Sequence, residues 1–383
     1  MGMSLTPEEI SRYSRHIRLP QVGLPGQEKL ATARVLIIGL GGLGSPASLY
    51  LAAAGLGTLG LADFDVVEPH NLQRQILHGD TDSGRKKLDS GIESLRAINP
   101  KIELIRHPEG ITVDNAVDLI SQYDLVLDGS DNFPTRYLVN DAAFFAGKPL
   151  VYGSIFQFEG QVSIFEPCAG GPCYRCLFPQ MPEPGTVPNC EEAGVFGALC
   201  GVVGSNQAME SIKRLINVGE SLMGRLLVID SLAQRHRTLK LKPDPQCPLC
   251  GHTPSITDIR PENYEWSCAA PDTTSEEIPM EISVQEAHAQ LQQAPPPLFL
   301  DVREDFEVAI AKIDGAIEIP LGELPLRWEA LDAKAPLLVY CHHGMRSLRA
   351  TEFLRSKGLD GAVSIRGGID AWSREINPEL ARY

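Results

Sequence analysis

The chain has 383 residues, 43% of them hydrophobic and 22% charged, with a formal net charge of −15. That length accommodates two or three domains with sizeable cores. The acidic balance disfavours nucleic acid or an anionic membrane face as a partner, and no run of 18 apolar residues suggests a membrane span.

The opening MGMSLTPEEI lacks a basic region followed by an apolar one, so a cytoplasmic chain is expected. It matches the loose acylation pattern M-G-x-x-x-T. Thr6-Pro7-Glu8-Glu9 reads better as a helix start, with Thr6 as N-cap, Pro7 first in the helix and Glu9 closing a capping box.

Residues 34 to 140 alternate strands and helices: RVLIIGL is a buried strand, SPASLYLAAAG a small-residue helix, LGTLGLADFD the next strand and YDLVLDGSDN (123–132) a later one. Buried parallel strands alternating with helices indicate a doubly wound, mostly parallel α/β sheet. LVYGSIFQFEGQVSIFE (150–166) adds a β-hairpin, and the four prolines and one glycine of FPQMPEPGTVPN (178–189) mark an exposed loop. Residues 251–280 lose periodicity and read as a linker. From Ile282 a smaller α/β unit begins, with PLFLDVRE as a strand, PLLVYCHHGMRS as a strand entering a loop and SLRATEFLRSKG as a helix. The expected organisation is thus a 1–255 domain, a 256–280 linker and a 281–383 domain.

The glycines of the first turn, Gly39, Gly41 and Gly44, satisfy G-x-G-x-x-G, and Asp63 follows 19 residues after Gly44. Such a turn cradles phosphate at a helix N-terminus while the acid takes ribose hydroxyls, so alone it suggests NAD. HNLQRQ (70–75) then supplies Arg74, and SGRKKL (83–88) supplies Lys86 and Lys87. Fixed cations suit a triphosphate that develops and releases charge. Asp128, Asp131 and Asn132 follow a later strand, where a carboxylate can hold Mg²⁺ against phosphate oxygens. Together these residues read as an ATP site.

Nine cysteines without a secretory signal point to metal or thiol chemistry. The pairs Cys173/Cys176 and Cys247/Cys250, separated by 70 residues, fit a structural tetrahedral Zn²⁺ site joining distant segments. Cys190 stands alone after the proline-rich loop, the usual state of a semi-buried cysteine. Cys341 ends an apolar strand and opens CHHGMRS, where loop N–H groups and Arg346 would lower its pKa and stabilise an anion.

IIGLGGLGSPASLYLAAAGLGTLGLADFDVVEPHNLQRQILH, with GGPCYRC, EEAGV and CPLCG in order, resembles the ubiquitin-activating-enzyme-like (ThiF-type) adenylyltransferases across about residues 8 to 255. The similar members activate the sulfur carrier of molybdopterin synthase, or its relatives in thiamine and tRNA thiolation. The resemblance implies that Gly42, Asp63, Asn71, Gln73 and Arg74 contact ATP and that Lys87 meets the phosphates. It implies that Asp131 positions ATP and Mg²⁺ beside Asn132, and that Arg15 reaches the partner's ATP across a homodimer. It also implies a carrier ending in Gly-Gly whose terminal carboxylate is adenylated. Cys190 would be an acceptor of the acyl group in some members and dispensable in others. Residues 281–383 resemble a rhodanese domain through FLDVRE, GAIEIPLGEL, YCHHGMRS and RGGIDAW. Its short Cys341–Arg346 loop suits a sulfur substrate, and the implied chemistry is a Cys341 persulfide that turns the activated glycine into a thiocarboxylate. Ala311-Lys312 and His342 depart from that pattern, and His342 leaves open whether the donor is thiosulfate or a cysteine desulfurase. An NAD-dependent oxidoreductase fused to a sulfurtransferase leaves Arg74, Lys87 and the paired cysteines unexplained. A scaffold requires an inert Cys341.

Overall fold

The computed structural model describes residues 5–182, 194–264, 279–331 and 336–383. The chain folds as two compact units, described separately.

The first unit opens with the expected capped helix. The Thr6 side chain accepts from the Glu9 amide and the Glu9 carboxylate accepts from the Thr6 amide, capping α1 (Pro7–Arg12). Helices α2 (Ser14–Ile17) and α3 (Gly23–Thr32) lead into β1 (Arg34–Ile38). There follow α4 (Gly44–Ala53), β2 (Thr58–Ala62), α5 (Lys87–Ile98), β3 (Glu103–His107), α6 (Ala116–Ser121), β4 (Leu125–Asp128) and α7 (Phe133–Phe145). The hairpin β5 (Leu150–Phe156) and β6 (Glu159–Phe165), α8 (Tyr174–Leu177), α9 (Gly197–Ile216), β7 (Arg225–Asp230) and β8 (Arg235–Lys240) complete the unit.

The sheet order is β3-β2-β1-β4-β5-β6-β7-β8; it is parallel from β3 to β5 and antiparallel beyond. Alternation along β1 explains its two covered faces. Val35 and Ile37 pack with Leu51 of α4, Leu95 of α5 and Ala208 of α9. Leu36 and Ile38 pack with Ile120 of α6 and Tyr137 of α7. Between β1 and β4 the strand order reverses, which is where such sheets open a crevice for ligands.

The polar stretch expected to begin the linker differs from expectation. Residues 256–264 pack onto the first unit: Ile256 lies against the cysteine cluster, Ile259 against the α7 face, and the Tyr264 hydroxyl donates to buried Asp141 at 2.9 Å. A few anchoring side chains suffice here, so loss of periodicity was no sign of a free chain. Residues 265–278 of that stretch, Cys268 among them, like Cys190 and most of the proline-rich loop, lie outside the described residues.

The second unit contains β9 (Glu281–Ile282), α10 (Val284–Leu291), β10 (Leu298–Asp301), α11 (Asp305–Val308), β11 (Ile317–Glu318) and α12 (Leu324–Arg327). It closes with β12 (Leu337–Tyr340), α13 (Met345–Ser356), β13 (Ala362–Ile365) and α14 (Gly368–Glu375). Every strand pair is parallel, in the order β11-β10-β12-β13-β9. Leu337 and Val339 face α13, while Leu338 and Tyr340 face α14, so the central strand β12 is buried on both sides.

Candidate functional site

The glycine turn between β1 and α4 is as tight as its composition suggests. Gly39 has φ +83°, and a Cβ on Gly44 would stand 1.8 Å from the Gly39 carbonyl oxygen. Only glycine lets the helix begin against the strand end. Asp63, at the end of β2, accepts from the Leu40 amide at 2.7 Å and from the Asp65 amide at 2.8 Å. Its carboxylate therefore braces the turn, with the second lone pair of each oxygen left for a ligand.

The cations meet the turn from two directions. Lys87, first residue of α5 and buried, places Nζ 2.9 Å from Asp65 Oδ2. Arg74 donates to the Asn71 side-chain oxygen and the His70 carbonyl, both at 3.3 Å, and its stem lies 3.5 Å from where a Cβ on Gly42 would stand. Gln73 is exposed and packs over Gly197 at the start of α9. Gln75 is the residue that the sequence did not single out: it is buried, and its amide nitrogen faces Gly41. Among the described residues its Oε1 has no hydrogen-bond partner. Cys200 was likewise missed as part of the turn; its sulfur lies 3.0 Å from the Cβ position of Gly42. Neither signal is legible without the fold that brings residues 75 and 200 beneath residues 41 and 42.

Asp128 closes the opposite wall at the end of β4. It is wholly buried, accepts from the Ser130 amide and hydroxyl at 2.9 and 2.6 Å, and sits 3.6 Å from Arg136 Nε. Burial pushes its pKa up, against the Arg136 charge and the Ser130 bonds. Asn132 caps α7 by accepting from the Thr135 amide at 2.9 Å, and Asp131 beside it is exposed. Arg15, exposed on α2, is not bonded into this group.

The two Cys-x-x-Cys pairs converge. Cys173, Cys176, Cys247 and Cys250 offer sulfurs all within 4.8 Å of one another, with closest pairs at 3.4 to 3.8 Å. Four thiolates on tetrahedral zinc stand about 3.8 Å apart, from Zn–S bonds near 2.3 Å. The donor set and spacing fit a closed structural site. Arg175, between two of these cysteines, is bonded three times to Asp141 of α7 at 2.7 to 3.0 Å. The cysteine loop is thus anchored to the helix that begins beside Asp131.

In the second unit the candidate site is local. Cys341 follows β12 and is 1% exposed, and its sulfur accepts from the Gly344 amide at 3.1 Å and the Ser347 hydroxyl at 3.6 Å. Gly344, at φ +103°, turns the loop so that α13 starts at the sulfur. Arg346 meets Glu307 with two bonds of 2.6 Å. Burial opposes ionisation of Glu307, but the Arg346 bonds, the Glu304 amide and nearby guanidinium charge hold its pKa below the usual value. His342 is buried and lies parallel to the Tyr383 ring at 4.3 Å; burial, then the neighbouring His343, pull its pKa down to about 4. Ala311, one of the departures noted in the sequence, offers its carbonyl to Arg303, which is itself paired to buried Asp301.

Residues 13–249 match the model of the ThiF family and residues 283–375 that of the rhodanese-like domain. The chain is 46% identical to the probable adenylyltransferase/sulfurtransferase MoeZ of Mycobacterium tuberculosis, with 99% of this chain and 97% of that one covered. It is 41% identical to the adenylyltransferase and sulfurtransferase MOCS3 of Sus scrofa, covering 99% and 89%. Among solved structures, Escherichia coli MccB with MccA-N7isoASN superposes with a TM-score of 0.57 at 23% identity, over 63% of this chain and 75% of that one. That likeness establishes the fold of the first unit.

Proposed function

The chain belongs to the ThiF family and carries a rhodanese-like domain, and from that premise we propose an adenylyltransferase and sulfurtransferase acting on a ubiquitin-like sulfur carrier with a Gly-Gly end. What carries the reading is one chain holding both a braced glycine turn with buried Lys87 beside it and an amide-cradled Cys341. In the first step a carrier carboxylate oxygen attacks the α-phosphorus of ATP, the bond to the pyrophosphate oxygen breaks, and an acyl-adenylate forms. Lys87 and Arg74 offset the charge on the departing pyrophosphate, and loop N–H groups at the start of α4 hold phosphate oxygens. Asp63 takes the ribose, and Asn71, Gln73 and Gly42 line the nucleotide. Asp131, with Asn132 beside it, would hold Mg²⁺ and so supply charge neutralisation on the phosphates.

In the second step the terminal sulfur of a Cys341 persulfide attacks the acyl carbon and AMP leaves, giving an acyl disulfide. A second thiol then attacks the Cys341 sulfur, takes it into a new disulfide, and releases the carrier thiocarboxylate. The Gly344 amide and Ser347 hydroxyl stabilise sulfur anions at each stage. Holding both units in one chain would keep donor and acceptor at high local concentration. The carrier is of the molybdopterin-synthase type, the enzyme acts as a cytoplasmic homodimer with Arg15 at the partner's nucleotide, and the donor is thiosulfate or a desulfurase persulfide.

ATP–pyrophosphate exchange with candidate carriers is the deciding experiment. Exchange with one carrier but not its tail-truncated form is expected. No exchange with any Gly-Gly carrier would sink the adenylation step.

A further inference from the structure

A closed circuit of polar contacts runs behind the glycine turn, and one member has no part in the chemistry so far. From the Leu40 amide it passes to Asp63, then to the Asp65 amide, and through Asp65 Oδ2 to Lys87. Lys87 begins α5, and the same helix turn carries Ser90. Ser90 Oγ lies 2.8 Å from His78 Nδ1, and His78 Nε2 lies 3.2 Å from the Leu40 carbonyl oxygen, which returns the circuit to its start. Ser45 reinforces that carbonyl at 3.1 Å. His78 and Ser90 are buried, and a Cβ on Gly91 would come within 3.1 Å of the Leu40 side chain. The helix bearing Lys87 and the turn bearing the loop amides therefore approach closely, with the imidazole as their polar link.

The hydrogen-bond roles follow from chemistry. A carbonyl only accepts, so Nε2 carries the proton, and Nδ1 faces the Ser90 hydroxyl, which also reaches the Asp82 carboxylate. The ring is bordered by Asp63, Asp82 and Lys87. Burial holds its pKa below the ordinary value, with the Leu40 bond opposing, so the neutral form is the resting one.

We propose that His78 is a positioning residue for adenylation: by joining the Leu40 carbonyl to Ser90 it sets the spacing between the glycine turn and Lys87, the two elements that grip the nucleotide phosphates. This rests on the ATP reading of the turn. Misplacement of a phosphate-binding group by even about 1 Å costs on the order of a hundredfold in rate. Asn and Gln separate the two halves of the role. His78→Gln keeps a donor near the Nε2 position, whereas His78→Asn keeps polarity only near Nδ1 and releases Leu40.

The test measures binding of a non-hydrolysable ATP analogue by calorimetry, with melting of the full chain alongside. His78→Asn is expected to weaken the analogue by about tenfold, equivalent to ~1.4 kcal/mol, and to lower kcat/KM for ATP in pyrophosphate exchange at least as much. His78→Gln is expected to stay within about threefold of the wild type, within the modest net worth of one hydrogen bond. Unchanged affinity in His78→Asn would overturn the inference while leaving the ATP reading intact. Equal loss in both variants, tracking a fall in melting temperature, would reduce His78 to core packing and also overturn it. A wild-type chain that fails to bind the analogue would overturn the ATP reading and, with it, the role given to His78.

Discussion

The two reactive loops solve the same geometric problem with different amounts of chain. Each follows the end of a buried parallel strand and leads into a helix, β1 into α4 and β12 into α13. In the second unit Cys341, its amide donor, its hydroxyl donor and Arg346 all fall between residues 341 and 347. In the first unit the corresponding contacts come from residues 40, 63, 65, 74, 78, 87 and 128. A sulfur anion is small and one loop can surround it, whereas a triphosphate spans several strand ends and needs a wall built from many of them.

The largest effect should come from removing the Cys341 thiol. Cys341→Ala is expected to lower thiocarboxylate formation by about 10³-fold or more, with ATP–pyrophosphate exchange unchanged. Loss of both activities in a folded protein would end the division of labour. Lys87→Ala tests the dispersed site: exchange should fall by about 10² to 10³, while thiosulfate–cyanide sulfurtransfer by the second unit stays intact. A matching fall in the sulfurtransferase assay would mean that the sites are not separable.

Metal removal sharpens the contrast further, because only the first unit has a cluster of four metal-capable side chains among the described residues. Cys247→Ser should abolish stoichiometric zinc, seen by elemental analysis, and lower the melting transition of the first unit, because metal binding at a structural site is folding free energy. Zinc retained at full stoichiometry would refute the four-sulfur site.

The smallest effect concerns acid. His342 has its folded pKa below its unfolded value near 6.5, so the unfolded chain binds the extra proton. Its contribution is present above about 6.5 and is lost as pH falls towards about 4; depressed Glu307 adds to the loss at the acid end. The second unit should therefore melt progressively lower across that window, and His342→Gln should flatten the profile between 6.5 and 4. An unchanged slope in the variant would locate the acid sensitivity elsewhere.

Legibility followed the same division. The Cys341 loop could be read as a nest because amides within a few residues of a strand end must wrap what lies there. The glycine turn was equally readable, since Gly39 and Gly44 are required by local backbone contacts. Gln75, Cys200 and His78 were not, because each reaches the turn only after strand order and helix packing bring it there. The linker reading erred at 256–264 because polar composition does not report that Tyr264 has Asp141 waiting for it.

Short-range spacing and strand alternation dictate two α/β units, a phosphate-type turn, four metal-capable cysteines and a thiol at a loop-wrapped strand end. Tertiary structure alone decided that Asp63 braces Leu40 and that Lys87 is held at Asp65. It alone decided that Arg346 is tied to Glu307 and that the four sulfurs converge. Those pairings join residues far apart in the chain, and a hydrogen bond between them has no local pattern to announce it.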